Sequence, residues 1–304
     1  MKIAICTDSP SVGFLPPVER LLAEGGHETR RFEMPNQHVA AVAWADAIWV
    51  EWCTQAAIDL SRSHFLGKRP LVVRMHRYEA DTPRPALVNW NRARLVVTSR
   101  HVLARAALRA PEIHAAAVIP SIVDFDAFPL VEPQEEDELR LAVVGYWSGR
   151  KQTGLALEAA AALSDDWRVA LSLIGQPADS EPWWQGYLYR RPTVGFMCVL
   201  EPWTTDVLGI WRRHDACLST SADEGCPYNV IEAMACGVPA FVHAYPGAAD
   251  QFPEQFVWRT LAELRQKVSA HFSDAGWSPE HIRAWAQMRY SIEANRDAVL
   301  DLFK

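Results

Sequence analysis

Short apolar or alternating runs follow one another through the first half of the chain: KIAICT, HETRRFE, DAIWVEW, RPLVVRMH, ARLVVTS and AAAVIP. Between them lie segments with helical spacing, such as FLPPVERLLAEGG and SRHVLARAALRA. Strands that alternate with helix-length segments predict β-α-β units and a parallel sheet. After VIPSIVDFDAF the stretch LVEPQEEDE is polar and acidic and carries Pro133, just after Pro129, which suits an exposed linker. A first domain over residues 1–128 is expected. The rhythm restarts with LRLAVVGYW, a helix through TGLALEAAAAL, then WRVALSLIG, DACLSTS, a helix from about Tyr228 to Cys236, and PAFVHAY. That predicts a second parallel sheet over 129–285. The closing stretch PEHIRAWAQMRYSIEANRDAVLDLFK keeps apolar positions at helical spacing, so residues 286–304 are expected as a helix that packs back on the first domain. No internal repeat or low-complexity tract interrupts this pattern.

A chain of 304 residues is long enough for two α/β domains, each with its own core. With 49% hydrophobic and 22% charged residues it has the balance of a globular protein rather than a disordered one. The opening MKIAICTDSPSVGF has one lysine and a short apolar run broken by Thr7 and Asp8, which fits neither a signal peptide nor a membrane anchor, so a cytoplasmic protein is expected. The 6 cysteines are scattered without a C-x-x-C pair, which argues for reduced thiols rather than a disulfide framework or a zinc site. Residues 1–128 carry 15 basic and 13 acidic groups, a balance of +2; residues 129–304 carry 15 and 24, a balance of −9. A net charge of −7 argues against nucleic acid as a main partner, while the basic tilt of the first half leaves room for an acidic acceptor or a membrane surface. The backbone cradles G-x-G-x-x-G and G-x-x-x-x-G-K-[ST] are missing, as is the hydrolase motif G-x-S-x-G.

The chemistry concentrates in DACLSTSADEGCPYNVIEAMACGVPAFVHAYPGAAD, residues 215–250. A strand runs into a loop holding Glu224, Gly225, Cys226 and Pro227; a helix follows, closed by Gly237 and Pro239, and then another strand. Exposed amides at the start of such a helix, with the positive end of its dipole, suit a diphosphate. Glu224 in the loop and Glu232 in the helix can reach different parts of one bound nucleotide sugar, since carboxylates accept from sugar hydroxyls.

On these residues the chain resembles glycosyltransferase family 4, retaining nucleotide-sugar transferases of the GT-B fold: an α/β architecture of two facing Rossmann-like domains with parallel sheets. The family's mark is two glutamates separated by seven residues and followed by A-M-A-x-G-x-P; Glu224, Glu232 and Ala233-Met234-Ala235-Cys236-Gly237-Val238-Pro239 match it. The resemblance implies that Glu224 holds hydroxyls of the donor sugar and Glu232 those of the ribose, with Gly225, Cys226, Asn229 and Val230 around the donor. Gly145-Tyr146-Trp147-Ser148-Gly149-Arg150-Lys151 is similar to the family's loop after the first strand of the second domain, whose arginine and lysine bind donor phosphates. Lys151 stands at the lysine's place; Tyr146 stands where the arginine is usual, and Arg150 is the candidate for the second charge. In the first domain Val72-Val73-Arg74-Met75-His76 ends a strand with a histidine, as in members where a histidine borders the donor sugar. Glu51, Arg77 and Glu79 are candidates to line an acceptor pocket. Ile119-Pro120-Ser121-Ile122-Val123-Asp124-Phe125-Asp126 is similar to the interdomain segment, so its D-x-D is expected to make a turn rather than hold a metal. The resemblance implies a retaining hexosyl transfer from a UDP- or GDP-type donor to a glycan, lipid-linked glycan or small metabolite. Neither a cofactor nor a catalytic metal is implied, and peripheral membrane contact fits the acceptor classes. Two alternatives stay open at this point: a sugar-nucleotide epimerase of the same fold, and a non-catalytic partner subunit or sugar-nucleotide sensor.

Overall fold

The computed structural model describes residues 1–8, 13–132, 137–178 and 195–304. Part of the expected linker, residues 133–136 with Pro133, lies outside the described residues. The chain divides into two compact units, one formed by residues 1–124 with 289–304 and the other by 125–288.

The first unit carries β1 (Lys2–Thr7), α1 (Pro16–Glu24), β2 (Glu28–Glu33), α2 (His38–Trp44), β3 (Ala47–Glu51), α3 (Gln55–Arg62), β4 (Leu71–Met75), α4 (Arg77–Ala80), β5 (Arg94–Val97), α5 (Arg100–Arg109) and β6 (Ala116–Val118). Its six strands pair in parallel in the order β2-β1-β3-β4-β5-β6. The strands β3 and β4 are buried along their whole length, which is why they read as continuous apolar runs rather than alternating ones. One core layer gathers Val50, Val73, Leu95 and Leu60 on one face of the sheet. The other gathers Ile3, Trp49, Val72 and Val96 with Val18, Leu21 and Leu22 of α1.

The second unit runs β7 (Leu139–Val144), α6 (Thr153–Leu163), β8 (Val169–Ile174), β9 (Met197–Glu201), α7 (Val207–Trp211), β10 (Ala216–Ser219), α8 (Tyr228–Ala235), β11 (Ala240–His243), α9 (Ala248–Gln251), β12 (Val257–Trp258) and α10 (Leu261–Ala270). Its sheet is again six-stranded and parallel, in the order β12-β11-β10-β7-β8-β9. Read from the other edge, counting from the unit's first strand, this is the doubly wound order 3-2-1-4-5-6, which reverses between β7 and β10. Two strands go beyond the sequence reading. The edge strand β9 is only partly buried and has no apolar alternation, and β12 is two residues long; neither is long or patterned enough to be legible.

The C-terminal stretch forms two helices, α11 (Pro279–Tyr290) and α12 (Ile292–Leu300), instead of one. Ser291 is extended and its hydroxyl accepts from the Ala294 amide, which caps and so restarts the helix. Residues 289–304 belong to the first unit, where Ile292, Val299, Leu302 and Phe303 join the layer under α1. Arg296 pairs with Glu24 at the end of α1 at 2.9 Å. The division between units falls after Asp124, ahead of the boundary expected at 129. Residues Phe125–Ala127 form a 3-10 turn tied into the second unit by Arg283, which donates to the carbonyl of Phe125 at 2.8 Å and to those of Phe128 and Ala235.

All six cysteines are free thiols, five of them buried and Cys198 partly so. Burial pushes Cys6, Cys53, Cys217 and Cys236 up to about 12, which keeps them protonated and inert. Among the described residues no helix is long and apolar enough to cross a membrane.

Candidate functional site

In a doubly wound sheet, the crevice at the carboxyl ends of the strands where the order reverses is where ligands bind. In the second unit two loops meet there: the one after β7, from Gly145 to Gln152, and the one after β10, from Thr220 to Pro227. Hydrogen bonds join them. The Ala222 amide donates to the Arg150 carbonyl at 2.8 Å, and the Thr220 hydroxyl donates to the Lys151 carbonyl at 2.8 Å. The first loop starts at Gly145, with φ +136°, close under Gly175, with φ +145°. A Cβ on Gly175 would lie 2.0 Å from the Gly145 carbonyl oxygen, and one on Gly145 would lie 3.2 Å from Cε of Lys151. Glycine at both positions lets the lysine side chain fold back over the strand end.

Lys151 and Arg150 converge on one carboxylate. Glu224 Oε1 lies 2.7 Å from Lys151 Nζ and 2.6 Å from an Arg150 guanidinium nitrogen, and it accepts from the Ser221 hydroxyl at 2.8 Å. All three donors use Oε1. Burial alone would raise the Glu224 carboxyl, but the charges of Lys151 and Arg150 and the bonds from Lys151 and Ser221 outweigh it and hold the group below the usual carboxylate range. Glu224 is therefore ionised at neutral pH, and the cluster carries two positive charges against one negative.

Helix α8 begins beside this cluster. Pro227 sits at its N-cap, where no side chain caps the first amides. The Asn229 side chain donates to the Val144 carbonyl at 3.3 Å and pins the helix start to the end of β7. The Val230 side chain is fully buried, and Cys226 nearly so, which leaves backbone as what they can present. Gly225 is buried in the loop. One turn into the helix, Glu232 stays partly exposed and has no hydrogen-bond or ion-pair partner among the described residues. Burial without a compensating charge pushes its carboxyl up to about 7.

A second charged cluster lies in the first unit, at the carboxyl ends of β3 and β4. These strands pair with Glu51 opposite Arg74. Glu51 has no exposed surface; it accepts from Trp49 Nε1 at 2.8 Å and from His76 Nε2 at 2.6 Å, and lies 3.6 Å from the Arg74 guanidinium. Burial would raise Glu51, yet Arg74 and the bonds from His76 and Trp49 hold it below its ordinary value. An ionised carboxylate only accepts, so His76 Nε2 carries the hydrogen of that bond. Glu79, likewise without exposed surface, accepts from the His76 amide at 2.7 Å and is raised by burial. The rings of Phe14 and Trp52 flank His76 at 5.1 and 6.3 Å.

The sequence-predicted residues thus fall into two groups. The structure brings Arg150, Lys151 and Glu224 into contact at the carboxyl ends of β7 and β10, and sets Gly225, Cys226, Asn229, Val230 and Glu232 on the loop and helix that follow. Glu51 and Glu79, expected to line an acceptor pocket, are instead enclosed and hold His76 in place; Arg77 is partly exposed at the start of α4. Asp124 pairs with Arg20 at 3.1 Å, and Asp126 lies in the 3-10 turn that follows. Sequence reasoning missed Arg74 and Ser221. Arg74 could have been found, because a charge inside LVVRM next to a strand that ends in glutamate calls for a partner. Ser221 carried no signal, being one of several small polar residues in STSADEG.

Residues 138–275 match the family model described as glycosyl transferases group 1. No curated protein matches the sequence significantly. Among solved structures, HepE from Anabaena in complex with UDP is similar with a TM-score of 0.79 at 14% identity, covering 99% of both chains. The same protein with UDP-glucose aligns at 0.76 and 16%, covering 99% of this chain and 98% of that one. The lipopolysaccharide outer core galactosyltransferase WaaB in its apo form aligns at 0.72 and 12%, covering 99% of both chains. The fold shared along the whole chain is GT-B, and the family-model match lies within the second unit.

Proposed function

We propose that this chain, whose second unit is a group 1 glycosyltransferase domain, transfers a hexosyl group with retention of configuration from a UDP- or GDP-sugar to a hydroxyl acceptor. Within the broader group we place it with family 4, on the Glu224, Glu232 and AMACGVP pattern. The observation that carries the reading is the convergence of Lys151, Arg150 and Glu224 beside the uncapped start of α8, with an unpartnered Glu232 farther along the same helix. Two cations and free helix amides form a place for a diphosphate. One carboxylate alone would not neutralise them. Glu224 keeps Oε2 for a sugar hydroxyl while Oε1 holds the cations in position, and Glu232 accepts from the ribose hydroxyls. UDP is the first donor base to try, since the Anabaena neighbour is a UDP and UDP-glucose complex.

In this reaction the bond between the anomeric carbon and the phosphate oxygen breaks as the acceptor oxygen attacks on the same face. The departing phosphate oxygen takes the acceptor's proton, so no enzyme nucleophile is needed. The charge that grows on the diphosphate is met by Lys151, Arg150 and the amides near Asn229 and Val230, all placed before the reaction starts. This account needs no divalent ion and no cofactor, and it is the two cations and the helix terminus that support it. His76, its ring oriented by Glu51, is kept as a proposed sugar-contacting residue of the first unit. The acceptor classes are glycans, lipid-linked glycans and small metabolites, with Arg77 as the first unit's partly exposed cation for an acidic one.

The experiment is a thermal-shift screen against UDP, GDP and their sugars, followed by product analysis with and without acceptors. A nucleotide sugar that raises the melting temperature of the parent, with smaller shifts for Lys151→Ala and Glu232→Ala, supports the reading. Equal shifts in all three proteins would remove these residues from the donor site.

A further inference from the structure

The first sheet has a second charged feature at its other end. Leu71 opens β4 and Arg94 opens β5, and both line a pocket of about 440 Å³. It lies at the amino ends of these strands, about 13 Å of strand away from Met75 and the His76 cluster at 3.3 Å per residue. Five cationic side chains line it: Lys68, Arg69, Arg92, Arg94 and Lys304. No carboxylate side chain is among the described residues that line it. Among the described residues only Lys304 of the five has an ionic partner, Asp301 at 2.6 Å.

The three arginines are held without being neutralised. Arg69 donates to the carbonyls of Ala45 at 2.8 Å and of Phe65 and Leu66 at 3.3 Å. Arg92 donates to the carbonyls of Ser63 at 2.8 Å and Gly67 at 2.9 Å. Arg94 donates to those of Asp301 at 3.2 Å and Leu302 at 3.1 Å. Backbone carbonyls orient the guanidinium planes but carry no net charge. Each arginine keeps N–H groups that meet no protein acceptor among the described residues: Nη2 of Arg69, Nε of Arg92, and Nε and Nη2 of Arg94. Like charges gathered this closely repel, and the arrangement becomes favourable once an anion sits among them. The side-chain entropy of binding has already been spent in folding, which favours a rigid fork-type contact with an oxyanion.

We propose that this pocket binds a phosphate group, at a site separate from the donor crevice of the second unit. The charge count favours phosphate over a carboxylate. Four cations without ionic partners are matched poorly by a single negative charge and better by a group that carries about −1.5 to −2 at neutral pH. Such a group comes from a free phosphorylated molecule or from a lipid headgroup. Phe65, two residues before Gly67 of the pocket lining, is 64% exposed and its carbonyl accepts from Arg69, so the chain beside the pocket offers an exposed aromatic ring to a lipid surface.

The test uses the full chain with Lys151→Ala as the parent, so that the second unit's cations contribute little. Inorganic pyrophosphate is titrated by calorimetry, and vesicles of phosphatidylcholine with and without phosphatidylglycerol are sedimented with the protein. Lys68→Glu is the main variant because Lys68 has no hydrogen-bond or ionic partner among the described residues; Arg94→Gln is the second, and its circular dichroism is checked since it also loses two carbonyl bonds. Pyrophosphate binding that weakens at least about tenfold in Lys68→Glu supports a free phosphate ligand. Sedimentation that needs phosphatidylglycerol and is lost in Lys68→Glu and in Phe65→Ser supports the lipid headgroup. If neither probe binds, or if both bind Lys68→Glu as well as they bind the parent, the proposal is overturned.

Discussion

Two carboxylates at strand ends, Glu51 in the first unit and Glu224 in the second, have the same electrical setting and different access. Each faces two positively charged or protonatable partners and each is held below the usual carboxylate range; Glu51 closes strand β3, and Glu224 lies in the loop that follows β10. Glu51 meets Arg74, a strand residue with a side chain 1% exposed, and is itself closed to solvent. Glu224 meets Arg150 and Lys151, loop residues whose side chains are 33% and 16% exposed. The strand-borne pair is locked by its register, and Glu51 is held further by His76 and by Trp49 Nε1. The loop-borne cations can share their hydrogens with an arriving anion without leaving Glu224. An ion pair inside a sheet fixes geometry, whereas one at a loop edge can exchange partners with a ligand.

The comparison predicts opposite phenotypes. Glu51→Ala takes from the buried Arg74 the carboxylate 3.6 Å away and should lower stability by about 3–5 kcal/mol, read from urea unfolding. A loss below about 1 kcal/mol would show that the pair relaxes into solvent and that the contrast with Glu224 is false. For Lys151→Ala the loss should appear in turnover, about 10²–10³-fold, while unfolding changes little because the lysine is replaced at an edge that water reaches. If Lys151→Ala instead unfolds the protein and leaves kcat untouched in the remaining folded fraction, the second cluster is structural too.

Glu232 sharpens the contrast because it is a partly buried carboxylate with no ion-pair partner among the described residues. Its Ala variant should bind the nucleotide more weakly by about 1–3 kcal/mol. Its pKa, raised from 4.5 to about 7, also has a sign in stability. The folded state favours the protonated form, so the contribution is fully present below pH 4.5 and is lost as the pH rises through 7. Unfolding free energies of the parent and Glu232→Gln, compared at pH 5 and pH 8, should shift by about 1–3 kcal/mol in favour of the glutamine at the higher pH. A difference that does not change with pH would place Glu232 in water. The smallest effect is expected from the D-x-D: transfer should survive EDTA, and Asp124→Asn with Asp126→Asn should leave nucleotide affinity within about twofold, or roughly 0.4 kcal/mol. Loss of activity in EDTA with recovery in manganese would break the account of diphosphate binding by Lys151, Arg150 and α8.

Much of the donor crevice was legible because it is local. Glu224, Gly225, Asn229 and Glu232 lie on one loop and the helix that follows, so their spacing in the sequence nearly specifies their spacing in space. The loop from Gly145 to Lys151 was legible for the same reason, since it leaves one strand and enters one helix. The Glu51 cluster was not. Glu51, Arg74 and His76 lie on two strands, and their meeting depends on the pairing of β3 with β4 in one register; a slip by one residue would turn Arg74 to the other face. The basic pocket was even less visible, because Lys68, Arg92, Arg94 and Lys304 come from three separated parts of the chain.

Hydrophobic pattern alone was enough for the two parallel sheets, because a strand buried on both faces and a helix buried on one leave different periods in the sequence. It was also enough for the helix start that faces the crevice. Which carboxylate is free to meet a ligand was decided by the tertiary structure. Burial of a side chain depends on every segment packed around it, and Glu51 and Glu224 look alike as glutamates at the end of a strand or in the loop after one. One is enclosed by Trp49, Arg74 and His76 and the other is left at the edge of two loops, and that difference exists only once the sheets have formed.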